Sequence, residues 1–193
     1  MLAADVYLPD TSGGQTYPTI LIHTPYNRQL YRWWLPLVGL DIANSPFAFV
    51  IVDWRCFYGS AAACVASYDR GLDGYDAVEW IAAKPWSDGQ VGTWGPSALG
   101  KIQFETAKHD PPHLVCCVPL VAAPQMMYEV YFPGGCAREE YIDQLDALGY
   151  GMSPILYANT HYNMVWAFTE SSTFYPDSIE VPMLVIGGWY DHN

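Results

Sequence analysis

The segment Val91-Gly92-Thr93-Trp94-Gly95-Pro96-Ser97-Ala98-Leu99-Gly100 constrains the fold of this chain more than any other. Gln90 to Trp94 reads as a short strand. It meets a glycine-proline-serine turn at once, and a helical stretch from about Ser97 to Lys108 follows and stops before Pro111-Pro112. A strand that enters a helix through so tight a turn crowds the backbone at the apex, so small residues must flank it; Gly95 and Gly100 supply them. The start of the helix points its free N–H groups at the apex. Because the apex residue is a serine, Ser97 is a candidate nucleophile and the N–H of Ala98 a candidate donor to an oxyanion. A bare Gly-x-Ser triplet is weak evidence, and a serine before a helix also reads as an N-cap. The strand-turn-helix context is what favours the nucleophile.

Around this segment apolar runs alternate with helical patterns, which predicts an α/β architecture: a mostly parallel sheet flanked by helices. Phe47 to Val52 is a continuous apolar run suited to a strand covered on both faces. Val6-Tyr7-Leu8 and Thr19 to His23 are expected to pair antiparallel across the polar turn Thr11 to Gln15. From Asp69, Leu72, Tyr75, Val78, Ile81 and Ala82 share one helical face, and Pro85 ends that helix near Lys84. Leu114 to Val118 is the next strand. Residues 1–123 are thus expected to form the first part of a core. Residues 124–180, rich in Tyr, Met, Phe, Gly and Pro, carry helical pieces such as Glu139 to Leu148 and no clear strand; they read as a helical and loop cap insertion. Residues 181–193 are expected to resume the core, with Pro182 to Gly187 as a core strand.

Composition removes several classes of partner. Hydrophobic residues are 51% of the chain and charged ones 15%, which is a globular balance rather than a disordered one. A net charge of −12 repels phosphate backbones and anionic lipid, so neither nucleic acid nor a membrane is expected as a partner. The opening Met1-Leu2-Ala3-Ala4-Asp5 lacks a basic region followed by an apolar stretch, and no apolar run reaches the roughly 20 residues of a membrane span. The compartment stays open, with the cytoplasm as the default. Cys56, Cys64, Cys116, Cys117 and Cys136 follow no C-x-x-C spacing; the apolar setting of Cys116 and Cys117 suits buried free thiols. No metal or cofactor is implied.

Four motifs in order along the chain resemble the CocE/NonD group of hydrolases, which includes cocaine esterase, α-amino acid ester hydrolases and Xaa-Pro dipeptidyl-peptidases. Gly95 to Gly100 resembles the group's G-x-S-x-x-G, and Thr24-Pro25-Tyr26 its T-P-Y at the end of an early strand. Asp76 to Ile81 with Pro85 to Gly89 resembles its approach to the elbow, and Gly188-Trp189-Tyr190-Asp191 its G-W-x-D. The resemblance implies an α/β-hydrolase fold and a serine hydrolase acting on a small ester or peptide substrate. Ser97 would be the nucleophile, Tyr26 and the Ala98 N–H the oxyanion donors, and Asp191 the acid that orients a histidine. Trp189, Tyr131 and Phe132 become candidate pocket walls, though core packing explains each as well.

The departures from the group bear on activity. Its Asp-x-Arg-Gly stands here as Asp53-Trp54-Arg55-Cys56, so a cysteine fills a position that tolerates left-handed torsions. The triad histidine is expected beyond Asp191, after which this sequence holds His192 and Asn193, and the group's β-rich C-terminal domain is expected to be missing from it. The reading is therefore of a fragment, inactive alone. As neighbours in sequence, His192 and Asp191 are expected to send their side chains in diverging directions; His23, His109, His113 and His161 are expected to serve packing or surface roles. The competing readings are a non-catalytic α/β module that binds a small ligand or a partner, and a truncated product without function.

Overall fold

The computed structural model describes residues 1–9, 14–42, 44–124, 126–172 and 179–188. These cluster into two compact units, residues 1–122 with 179–188, and residues 123–172.

The first unit is built on five strands: β1 (Ala4–Tyr7), β2 (Tyr17–Thr24), β3 (Ala48–Asp53), β4 (Ser87–Pro96) and β5 (Leu114–Leu120). Their order is β1-β3-β2-β4-β5, with β3, β2, β4 and β5 mutually parallel and β1 antiparallel on the edge. Three helices flank the sheet: α1 (Tyr31–Leu37), α2 (Arg70–Ala82) and α3 (Ala98–Ala107). The apolar run in β3 is continuous because alternate residues serve two layers. Val50 and Val52 pack with Val78 and Ile81 of α2, while Phe49 and Ile51 pack with Tyr31 and Leu35 of α1. Helix α2 begins where Asp69 caps it, its carboxylate accepting from the N–H groups of Gly71 and Leu72.

Three expectations are corrected here. The pair expected between Val6 to Leu8 and Thr19 to His23 does not form: β1 pairs with β3, in the register Asp5↔Ile51. Both edges of β2 are taken by parallel partners, and the first strand lies instead on the outer edge of β3. Pro182 to Gly187 runs parallel along β5, but it is not buried as a core strand would be. The Cys117 and Val121 N–H groups donate to Pro182 O and Ile186 O, and the Leu184 and Ile186 N–H groups to Cys117 O and Pro119 O. The segment is bridged to β5 at Cys117↔Met183 and Leu120↔Ile186, with the side chains of Leu184, Val185 and Ile186 exposed. Among the cysteines, Cys117 is a buried free thiol, pushed up to about 11 by desolvation, but its neighbour Cys116 points outward as strand alternation demands. Cys56 and Cys64 form a disulfide that the lack of paired spacing did not suggest.

The second unit carries α4 (Tyr128–Tyr131), α5 (Glu139–Ala147), α6 (Ser153–Tyr157) and α7 (Met164–Ser172), and no strand among the described residues. It has its own core, in which Trp166 packs against Tyr128, Tyr131 and Phe132. No helix among the described residues is long and apolar enough to cross a membrane.

Candidate active site

Between the last residue of β4, Pro96, and the first of α3, Ala98, the chain turns on Ser97 alone. Its backbone sits at φ 53°, ψ −120°, a region a side-chain-bearing residue enters only at a cost of about 1–3 kcal/mol. Hydrogen bonds hold it there. The Ser97 N–H donates to Leu120 O at 2.9 Å, and the Ser97 carbonyl accepts from the N–H groups of Gly100 and Lys101, each at 2.9 Å. Its hydroxyl makes no capping bond to α3, so the N-cap explanation for the serine does not account for its side chain. The Ala98 N–H opens the helix, and no hydrogen bond among the described residues engages it.

The two glycines answer to separate contacts. Gly95 has φ 150°, and a Cβ there would meet Leu99 Cβ at 2.5 Å. A Cβ on Gly100 would lie 2.5 Å from Ala122 Cβ and 3.2 Å from Leu120 O, so this glycine lets α3 close on the end of β5. Its spacing thus follows from the approach of helix to strand. Gln103, which the sequence reading missed, is buried beneath the turn. Its amide nitrogen lies within bonding reach of the carbonyls of Leu99 at 3.0 Å and of Gly95 and Val118 at 3.3 Å, while its oxygen accepts from Thr93 Oγ1. A glutamine on the buried face of an amphipathic helix was the available signal.

Tyr26 lies two residues beyond β2, the parallel neighbour of β4. From the register pair Leu21↔Thr93, equal lengths remain to Thr24 and Pro96, so the two strands end level. Tyr26 and Leu99 pack into the same apolar cluster. The Tyr26 N–H donates to Thr24 Oγ1 at 3.0 Å, and that oxygen also bonds the Tyr31 hydroxyl at 2.8 Å. Burial pushes Tyr31 up to about 12, so it stays a neutral phenol. Cys56 has φ 73°, which bears out the expected left-handed torsion at that position. Beside it Arg55 grips Asp73 through two nitrogens and donates to Ala63 O.

None of the described histidines hydrogen-bonds Ser97. His23 is buried on β2, its ring edge-on to Trp54 at 6.2 Å, and desolvation lowers it to about 3. His109 pairs with Asp69 at 3.1 Å beyond the far end of α3, about 15 Å along its axis from Ser97. His113 pairs with Glu79 at 2.8 Å beside the opposite end of the strands, and His161 meets Thr160 in the second unit. Tyr131 and Phe132 are 4% and 1% exposed in the core of that unit, Tyr131 stacked on Tyr141 and Phe132 on Tyr128. Trp189, Asp191 and His192 lie outside the described residues.

A mostly parallel sheet flanked by helices, with a serine elbow where a central strand meets its helix, defines the α/β-hydrolase class. A profile of the X-Pro dipeptidyl-peptidase (S15) family matches residues 1–158, and the chain belongs to that family of hydrolases. It is 30% identical to cocaine esterase of Rhodococcus sp. strain MB1 Bresler over 142 residues, 72% of this chain and 24% of that protein. Among solved structures, a CocE/NonD family hydrolase of Staphylococcus aureus is similar with a TM-score of 0.66 and 20% identity, covering 94% of this chain and 37% of that one. An α-amino acid ester hydrolase is similar with a TM-score of 0.67 and 18% identity, covering 99% and 42%. These two likenesses carry the fold. The chain spans about a quarter of the length of the curated relatives it matches.

Proposed function

We propose that this chain carries the nucleophile half of a serine hydrolase that cleaves a small ester or a peptide bond through an acyl-enzyme. The observation behind the reading is the backbone of Ser97: a strained serine at the apex of a strand-helix turn, its main chain fully bonded and its hydroxyl not used as a cap. In this reading the Ser97 hydroxyl gives its proton to a base as Oγ attacks the substrate carbonyl carbon, and the carbonyl π electrons move onto the oxygen. The Ala98 N–H and the Tyr26 hydroxyl donate to that oxyanion, with the N-terminus of α3 behind it. Collapse restores the carbonyl and expels the alcohol or amine, which takes up a proton; water then releases the acyl group. Asp191 would orient the histidine that moves these protons. No described histidine of the first unit hydrogen-bonds Ser97, so residues 1–122 acting alone are expected to turn over little substrate.

The test uses the product of the complete reading frame that contains this sequence. A fluorophosphonate should label Ser97, as read by peptide mass, and Ser97→Ala should abolish the label. Labelling no faster than that of free serine would sink the proposal and leave a non-catalytic module that binds a small ligand or a partner. Turnover of aryl esters compared with Xaa-Pro dipeptide amides then assigns the substrate class.

A further inference from the structure

We infer that Asp53 is a positioning residue for the Tyr26 hydroxyl, acting through Arg28. This rests on the reading of Tyr26 as an oxyanion donor. Asp53 ends β3 and is the register partner of Thr24, the last residue of β2. Its carboxylate is 0% exposed and faces the loop that carries Tyr26. Oδ1 accepts from the Arg28 backbone N–H at 2.7 Å; Oδ2 accepts from Arg28 Nη1 at 2.6 Å and from the Gly59 N–H at 3.0 Å. The outer side of the same guanidinium donates from Nε to Asp5 Oδ1 at 2.9 Å.

The loop between these anchors needs holding. Asn27, directly after Tyr26, has φ 68° and ψ 104°, outside the left-handed helical well that asparagine tolerates. Tyr26 is gripped on one side by Thr24 Oγ1 and on the other, across Asn27, by the bonds from Asp53 to residue 28. The Trp54 N–H, one residue past Asp53, donates to Thr24 O at 2.8 Å and ties the two strand ends together. A buried carboxylate fits this task because it accepts several bonds at once and neutralises the arginine. Asparagine keeps one acceptor but turns an NH2 group toward donors, leaving at least one of them unpaired. Gly59 is part of the fit: a Cβ there would strike Arg28 Nη1 and come within 3.0 Å of Asp53 Oδ2.

A double-mutant cycle on fluorophosphonate labelling of Ser97, in the product of the complete reading frame, tests this. Tyr26→Phe should slow labelling about 100-fold, as loss of one oxyanion donor does. Asp53→Asn should slow it about tenfold, because a donor displaced by a fraction of an ångström loses much of its effect. The double variant should be no slower than Tyr26→Phe alone. If Asp53→Asn slows labelling as much in the Tyr26→Phe background as in the wild type, its role is general to the fold and the inference is overturned. It is overturned equally if Asp53→Asn leaves the rate unchanged while Tyr26→Phe slows it. If Asp53→Asn lacks a cooperative thermal transition, Arg28→Met takes its place under the same criteria, with Arg28→Lys expected to restore part of the rate. A Tyr26→Phe variant that labels at the wild-type rate removes the donor reading itself, and this inference falls with it.

Discussion

Desolvation on β2 lowers the His23 imidazole from its ordinary value near 6.5 to about 3, with Arg70 pushing the same way and Asp73 opposing. The side chain belongs to the face of β2 that also holds Leu21, beneath α2, while Ile22 faces α1; the residue is 4% exposed. The unfolded chain takes up a proton below about pH 6.5 and the folded chain does not until near pH 3, so stability is lost as the pH falls through that window. The slope approaches 1.4 kcal/mol per pH unit, and about 2 kcal/mol is lost between roughly pH 7 and 5 from this group alone. Urea unfolding at the two pH values should show that loss in the wild type, and His23→Leu should remove most of it. Equal pH dependence in both proteins would mean that His23 is hydrated and titrates freely. The burial of a histidine on the strand leading to Tyr26 was legible only in part. Alternation assigns its face, but which helix covers that face is a tertiary fact.

Helices α2 and α3 meet at two glycines, and here the elements decide what single residues could not. A Cβ on Gly71 would strike the Glu105 carbonyl oxygen, and one on Gly74 the Thr106 side chain. In an isolated helix Gly→Ala stabilises by about 0.5–1 kcal/mol. Against an immovable backbone carbonyl the added methyl forces the helices apart at about 1–3 kcal/mol. Gly71→Ala is therefore expected to lose about 1–2 kcal/mol net in urea unfolding at neutral pH, and a gain in stability would show that the crossing is loose. The helix itself was legible, since Asp69 and Pro85 punctuate it and Val78 and Ile81 mark its face. The elbow was legible for the same reason: strand, turn and helix lie within one short segment. Strand pairing was not, because proximity in sequence favours a hairpin while the parallel partners β3 and β4 come from farther along the chain. Gln103 was hidden because its partners, Gly95, Leu99 and Val118, are carbonyls that the fold alone brings together.

At one edge of the sheet the outermost described segment leaves apolar side chains exposed. Among the described residues the segment bridged at Met183 and Ile186 borders β5, and its Leu184, Val185 and Ile186 are 60%, 57% and 48% exposed. Val115 of β5 is exposed as well, so apolar side chains are open on both β5 and the segment that borders it. Such an edge invites pairing with another copy. A net charge of −12 opposes that contact, but over a range set by salt: the screening length is about 30 Å at about 0.01 M and about 3 Å at about 1 M. The isolated 193-residue chain should therefore sediment as a monomer at low ionic strength and gain average mass as salt rises. Replacing Leu184 and Ile186 by lysine brings the net charge nearer zero, which by itself would weaken repulsion between copies. Loss of the salt-induced association in that double variant would consequently assign it to the apolar edge. A wild-type chain that stays monomeric at every salt concentration would show that the edge is too irregular to template a partner, despite its exposure.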